Sequence, residues 1–311
     1  MDLLALAAEL VGIPSVSHHE TALADIVEAR LRGARHLQVH RLDNTVVART
    51  QLGRTRRVVL AGHLDTVPPF ADGAVRVEGD VLWGLGAVDM KGGLAVLLDL
   101  AMSVADPAMD LTYVFYDCEE VNRRHSGLGR LVARHPDMLG ADAAVLTEPT
   151  GGSVEAGCQG TIRAVVSLGG RRAHTARPWM GTNAVHRLAP VLAALSNYRS
   201  HRVVIDDCEF AEQLQAVAVE GGVAGNVVPD RATVTVNYRF TPECDVPTAL
   251  HRLEGLLGLE LDAAAGDVME VVDAAPGAPP ALGHPVLAAL VAASGGTPRA
   301  KVGWTDVATF F

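Results

Sequence analysis

Cysteine is scarce and scattered in this chain. The four residues Cys118, Cys158, Cys208 and Cys244 include no CxxC pair. That spacing argues against a disulfide framework and against an all-thiolate metal site, and it points to a reduced, cytoplasmic protein. Positive charge is also in short supply: 26 Lys and Arg face 36 Asp and Glu, for a formal net charge of −10. Gripping phosphates needs concentrated basic charge, so nucleic acid is excluded as the main partner. Small anionic substrates stay open, because a few placed arginines can hold them. No uninterrupted apolar run approaches the ~18 residues of a membrane span, so no membrane partner is expected. The longest candidate, "GGLAVLLDLAMSVA", is cut by Asp99. The opening "MDLLALAAELVGIPS" has Asp2 and Glu9 but no basic segment, so it reads as a short amphipathic helix stopped at Pro14 rather than a signal peptide. There is no internal repeat and no low-complexity tract.

What is present is an alternation. At 311 residues the chain suggests two domains, taking roughly 150 residues for each. Residues 20–35 carry helical spacing through Leu23, Ile26, Val27 and Leu31. The segments "TVVART", "RRVVLAGHLD" and "LTYVFYDCEE" read as strands, and "GGLAVLLDLAMSVA" and "GLGRLVARHP" as helices. "ADAAVLTEP" is a further strand, running into Glu148 and Pro149. This order predicts an α/β layer with a mostly parallel sheet. From about Thr161 the pattern changes. "TIRAVVSLGG", "EQLQAVAVEGG" and "RATVTVNYRF" read as strands, with helices over "NAVHRLAPVLAAL" and "PTALHRLEGLLG". That composition predicts an inserted α+β domain. The Pro- and Gly-rich "DAAPGAPPALGHP" then reads as the return crossing, and "HPVLAALVAASGG" as a helix of the first domain.

Polar residues fall at one recurrent place. His63 and Asp65, Glu119 and Glu120, and Glu148 each follow an apolar strand at its carboxyl end, which is where open α/β sheets build their sites. His63 and Asp65 share a strand face, so a carboxylate could orient a metal-bound imidazole; a salt-bridged histidine at a strand end is the alternative. Asp89, in "GLGAVDMKGG", could bridge two metals or simply cap the following helix. Lys91 reads as a structural or surface partner. Glu119 and Glu120 repel each other, so a cation would hold them together: one could ligate metal while the other faces a reacting water. A solvated acidic loop beside Arg123 and Arg124 is the other reading, with His125 a polar loop residue. His63, Asp89, Glu120 and Glu148 together make an oxygen-rich donor set with one nitrogen, suited to Zn, Mn or Co.

The segments "GHLDTVP", "WGLGAVDMKGG", "YDCEEVNRRHSGLGRL", "LTEPTGGSVEAGCQGT", "RRAHTARPWMGTNAVHRLAPVL", "GGVAGNVVPD", "NYRF" and "AKVGWTDVATF" resemble the dinuclear-zinc M20 amidohydrolases. Within these, "CEEVNRRHSGLGRL" and "EPTGGSVEAGCQGT" resemble the bacterial succinyl-diaminopimelate desuccinylase branch. The likeness spans essentially the whole chain. It implies a zinc-peptidase-like catalytic domain over residues 1–160 and 273–311, with a mostly parallel mixed sheet, and a lid and dimerisation domain over 161–272. It implies two Zn2+, replaceable by Co2+ or Mn2+. His63 and Glu148 would hold one ion, Asp89 would bridge and Glu120 would hold the second. Glu119 would be the general base and acid, and Asp65 would orient His63. His174, in "RRAHTARP", would reach the partner subunit's site in a homodimer and stabilise the oxyanion. Asn226, Arg239, Gly303 and Thr305 would contact the substrate. That substrate would be an N-succinyl amino acid on the route to diaminopimelate and lysine.

The sequence departs from the pattern in two places. "AVDMKGG" stands where the family usually has a polar residue before the bridging Asp and "MKSG" after it. The family also carries a histidine beyond the "WTD" segment that completes the second metal site. Here the sequence ends at Phe311, and His284, in "GHP", does not match. The expectation is a chain truncated at this end, or a second site completed by water or another group. The alternatives are another M20 activity, such as acetylornithine deacetylase or a dipeptidase, and a non-catalytic metal- or ligand-binding homologue.

Overall fold

The computed structural model describes residues 2–69 and 74–311. By its contacts the chain divides into two compact units, Met1–Gly152 with Thr309–Phe311, and Ser153–Ala308.

The first unit runs in chain order α1 (Leu3–Val11), α2 (Thr21–Arg32), β1 (Gln38–Leu42), β2 (Thr45–Arg49), β3 (Arg57–His63), a small hairpin β4 (Arg76–Glu78) and β5 (Val81–Trp83), α3 (Gly92–Ser103), β6 (Asp110–Tyr116), α4 (Gly127–Arg134) and β7 (Ala143–Leu146). Asp2 caps α1 by accepting from the backbone N–H groups of Leu4 and Ala5. Five strands form one sheet in the order β1-β2-β6-β3-β7. β3 pairs in parallel with β6 and β7, and β2 pairs antiparallel with β1 and β6. The mixed sheet expected from the sequence is therefore present, with four strands in one direction and β2 opposed.

Alternation along each strand sends side chains to two apolar layers. Val46, Ala48, Tyr113 and Phe115 pack against Leu10 of α1, Leu23, Val27 and Leu31 of α2 and Leu94, Leu97 and Leu98 of α3. Val47, Val59, Ala61, Val114 and Tyr116 face the other way, against Leu128 and Leu131 of α4. With both faces covered, the parallel strands bring their carboxyl ends to one edge, free for chemistry.

The second unit contains β8 (Glu155–Ala156), β9 (Gly160–Gly169), α5 (Ala184–Arg187), α6 (Ala189–Ser196), β10 (Arg202–Ile205), β11 (Cys208–Ala211), β12 (Gln213–Gly221), β13 (Arg231–Phe240), α7 (Val246–Leu257), β14 (Val268–Ala275), α8 (Pro285–Ser294) and β15 (Arg299–Ala300). Its antiparallel sheet has the order β12-β13-β9-β14. Ile162, Ala164, Val166, Val234, Val236 and Tyr238 line one face and pack with Leu188, Val191, Ala249 and Leu253. The single helix expected over residues 183–195 is two helices, broken at Leu188 just before Pro190, whose missing N–H interrupts the hydrogen-bond ladder. By contacts, residues 153–160 and 273–308, expected together in the first domain, both cluster with this unit. β14 pairs with β9, Cys158 and Ala278 exchange backbone bonds of 2.8 and 3.0 Å, and β15 pairs with β8. Among the described residues no helix is long and apolar enough to cross a membrane.

Candidate metal centre and active site

Strand β3 is an apolar run that ends on an imidazole, and the packing around Gly62 shows how that end is fixed. A Cβ at Gly62 would lie 2.6 Å from Met90 Cε and 2.9 Å from Leu94 Cδ2, so the absence of a side chain lets the Asp89–Met90 segment close over the strand. Met90 Sδ accepts the His63 backbone N–H at 3.2 Å. His63 itself is buried. Its Nδ1 lies 3.0 Å from the Asp65 backbone carbonyl and 3.4 Å from that residue's carboxylate. A proton on Nδ1 is thus donated to residue 65, which turns Nε2 toward Asp89 Oδ1 at 3.0 Å. Burial opposes a charge on His63, but the hydrogen bonds to Asp65 and Asp89 and the charge of Glu119 prevail, and its pKa is raised to about 11.

Glu119 and Glu120 follow the end of β6, beside β3. The Asp65 carboxylate holds their backbone: Oδ1 accepts from Glu119 N–H at 2.9 Å, and Oδ2 accepts from Glu120 N–H at 3.0 Å and from Ser17 Oγ at 2.7 Å. Burial alone would raise the pKa of Asp65, yet the bonds from His63, Ser17 and the Glu119 amide outweigh it and bring it below the ordinary value. The principal task of this carboxylate is therefore wider than orienting His63. It ties the acidic loop to the end of β3. Glu120 shifts the other way, raised by burial and by the charges of Asp89 and Asp65, with His63 partly opposing.

One donor atom each from His63, Asp89 and Glu120 lies within 4.8 Å of the others. Two acids and an imidazole at that spacing repel or share protons until a cation joins them, and the nitrogen and oxygen donors fit a divalent ion of the zinc, manganese or cobalt type. Glu148 lies beyond β7 at the same sheet edge, where Thr147 N–H still bonds to Ala61 O at 3.1 Å; it is outside the group of three. Lys91, expected as a structural or surface partner, is buried and structural. Its Nζ donates to the Ile13 carbonyl at 2.7 Å, and burial pulls its pKa down to about 8. A second cluster of possible donors, Glu20, Asp117 and Cys118, is fully buried, but Asp117 is already occupied by Thr45 and Arg130. His125 is half-buried, edge-on to the His18 ring at 5.0 Å.

In the second unit His174 and Asn226 lie side by side and exposed. His174 bridges to Val227, and Thr175 N–H donates to Asn226 O at 3.0 Å. The Ala176 N–H donates to His174 Nδ1 at 3.1 Å. That bond makes Nδ1 the acceptor, which leaves Nε2 as the ring's donor. Arg239, on β13 opposite Thr161, is half-buried. Burial draws its pKa down against the opposing charge of Asp273. Gly303 precedes Trp304, whose indole N–H donates to Pro276 O at 3.1 Å, and Thr305 is buried. Sequence reasoning passed over Ser17 and Glu20. The visible signal was a Ser-x-x-Glu spacing just before α2.

Comparison with known proteins adds to this geometry. The model of Peptidase family M20/M25/M40 matches residues 59–310. A protein of Mycobacterium tuberculosis (strain H37Rv), provisionally named succinyl-diaminopimelate desuccinylase DapE, is 52% identical over 311 residues, covering 99% of this chain and 86% of that one. The succinyl-diaminopimelate desuccinylase of Corynebacterium glutamicum is 44% identical over 315 residues, covering 99% and 85%. Among solved structures, a tripeptidase from Staphylococcus aureus aligns with a TM-score of 0.77 at 20% identity, covering 98% of this chain and 85% of that one; this likeness concerns the fold alone.

Proposed function

Because the chain belongs to peptidase family M20/M25/M40, we propose that it is a metal-dependent amide hydrolase that removes succinate from N-succinyl-LL-2,6-diaminopimelate, a step toward diaminopimelate and lysine. The observation that carries this reading is the convergence of His63, Asp89 and Glu120 with Glu119 beside them. The relatives in Mycobacterium and Corynebacterium direct it to the succinyl substrate.

His63, Asp89, Glu120 and Glu148 would hold two zinc ions, with cobalt or manganese as substitutes. Bound metal of this kind polarises an amide carbonyl and lowers the pKa of water toward ~7. Glu119 takes the proton of the attacking water and returns it to the leaving amine. Asp65 keeps Glu119 and Glu120 at fixed spacing through their backbone N–H groups. His174, as an Nε2–H donor on an exposed turn, would serve the oxyanion in the site of a second copy of the chain. Asn226 and Arg239 would bind the polar groups of the substrate, with Gly303 and Thr305 near the succinyl carboxylate. The four free cysteines suit a cytoplasmic setting.

The test is hydrolysis of N-succinyl- against N-acetyl-amino acid substrates, before and after chelation and zinc readdition, with the protein expressed as its gene encodes it. Zinc-restored cleavage confined to the succinyl substrate is expected. Cleavage of the acetyl substrate alone, or tight metal binding without turnover, overturns the assignment. Mixing inactive His174→Ala and Glu119→Gln chains tests the shared site: exchange into mixed dimers should restore about a quarter of normal activity.

A further inference from the structure

We propose that Glu20 is a positioning residue for catalysis, holding the acidic loop from the side opposite Asp65. This rests on the reading of Glu119 and Glu120 given above.

Three consecutive backbone N–H groups follow β6, and each is bound by a buried carboxylate. Cys118 N–H donates to Glu20 Oε1 at 3.2 Å, Glu119 N–H to Asp65 Oδ1 at 2.9 Å, and Glu120 N–H to Asp65 Oδ2 at 3.0 Å. Both carboxylates are wholly inaccessible to solvent. Glu20 Oε1 also accepts the Cys118 thiol at 3.4 Å and the His18 N–H at 2.9 Å. Cys118 has φ +60, a left-handed conformation that a residue with a side chain adopts only when its surroundings impose it. Glu20 contacts both the amide and the thiol of this residue, with His18 Nδ1 3.4 Å from the same sulfur.

Glu20 stands at the N-cap position of α2, yet its side chain makes no cap hydrogen bond. A side chain that served only its own helix would turn back to that helix's free N–H groups. This one reaches the acidic loop instead. The segment carrying it is fastened along the end of β3. Thr66 N–H donates to Ser15 O at 2.9 Å, Ser17 N–H to Thr66 O at 3.2 Å, and Ser15 Oγ to Leu64 O at 2.8 Å. Ser17 Oγ then grips Asp65. One short stretch of chain therefore supplies one carboxylate of the pair and steadies the other. Releasing the Cys118 amide would let the loop drift, and a displacement of about 1 Å at reacting groups can cost on the order of 100-fold in rate.

The experiment compares Glu20→Met, which keeps volume but loses the acceptor, with Glu20→Gln, which keeps an acceptor oxygen. Both are zinc-loaded and assayed on N-succinyl-diaminopimelate, with turnover expressed per folded molecule. Glu20→Met should lower kcat about 10- to 100-fold with KM within about threefold, and Glu20→Gln should restore most of the turnover. Unchanged kcat in Glu20→Met, or equal damage in both variants, overturns the proposal. If Glu20→Met does not fold, amide exchange in the wild-type protein decides. Slow exchange at Cys118, Glu119 and Glu120, with protection at Cys118 kept in Glu20→Gln, supports the clamp; exchange at the rate of unprotected peptide overturns it. Glu119→Gln separates this from the underlying reading. Full turnover there sinks the role of Glu119, whereas an inactive Glu119→Gln beside a fully active Glu20→Met sinks only the role of Glu20.

Discussion

The two units carry their chemical groups in opposite ways. In the first, His63 and Asp65 are buried and bonded to one another, and the loop of Glu119 and Glu120 is tied down through its backbone. In the second, His174 and Asn226 are exposed on a turn and held mainly by main-chain contacts. Buried charge is costly unless every partner is present, so the first arrangement has to be built as a whole. An exposed histidine costs the fold little and can be spent on contact with something outside its own unit. Substitutions should therefore separate stability from activity differently in the two units.

The sharpest division is expected from Glu119→Gln. On its proposed role as general base the loss should be about 100- to 10,000-fold, and steady-state assays should show it in kcat with the metal still bound. Next comes His174→Ala, which on the proposed oxyanion role should cost about 100- to 1,000-fold in kcat. Its thermal midpoint should match wild type, and a large fall in that midpoint would erase the contrast between the units. Asp65→Ala should do the reverse in emphasis. Two part-buried amides and the buried Ser17 hydroxyl lose their acceptor, so denaturant titration should register about 2–4 kcal/mol of destabilisation in addition to lost turnover.

The smallest effect concerns acid, where the units should behave alike. Each has a buried aspartate with a pKa near 2. For Asp110, burial acts upward but is outweighed by the amides of Leu52 and Arg54 and the Thr50 hydroxyl. Asp267 is lowered chiefly by its hydrogen bond from Arg187. Both values lie below the roughly 3.9 of an unfolded aspartate, so the native state binds fewer protons than the unfolded one. Their contribution is complete above about pH 4 and is lost as pH falls toward 2. Thermal melts across that range should flatten in Asp110→Asn and in Asp267→Asn. A flattening in only one of them would show that the units differ in acid as well.

Much of this was legible beforehand because it follows from pattern. Apolar strands ending in His63, Glu119 and Glu148 announced one working edge of a sheet, and β3, β6 and β7 lie side by side there. The part that escaped depends on chain paths that periodicity cannot reveal. Asp65 looked like a partner for one imidazole, whereas most of its hydrogen bonds come from Ser17 and from two amides more than fifty positions away. Glu20 looked like the start of a helix. The return segment after β14 looked like a simple crossing because its short pairings with β8 and Cys158 leave little mark in composition.

The fastening of residues 15–20 has a bearing on how the protein is born. Glu20 and the Cys118 amide it receives are separated by 98 positions, so the earliest part of the nascent chain must wait for a much later part before either is set. Contacts of such long range form late and slowly. During synthesis the buried carboxylate of Glu20 should therefore stay without its loop partner until the segment just beyond β6 has been made.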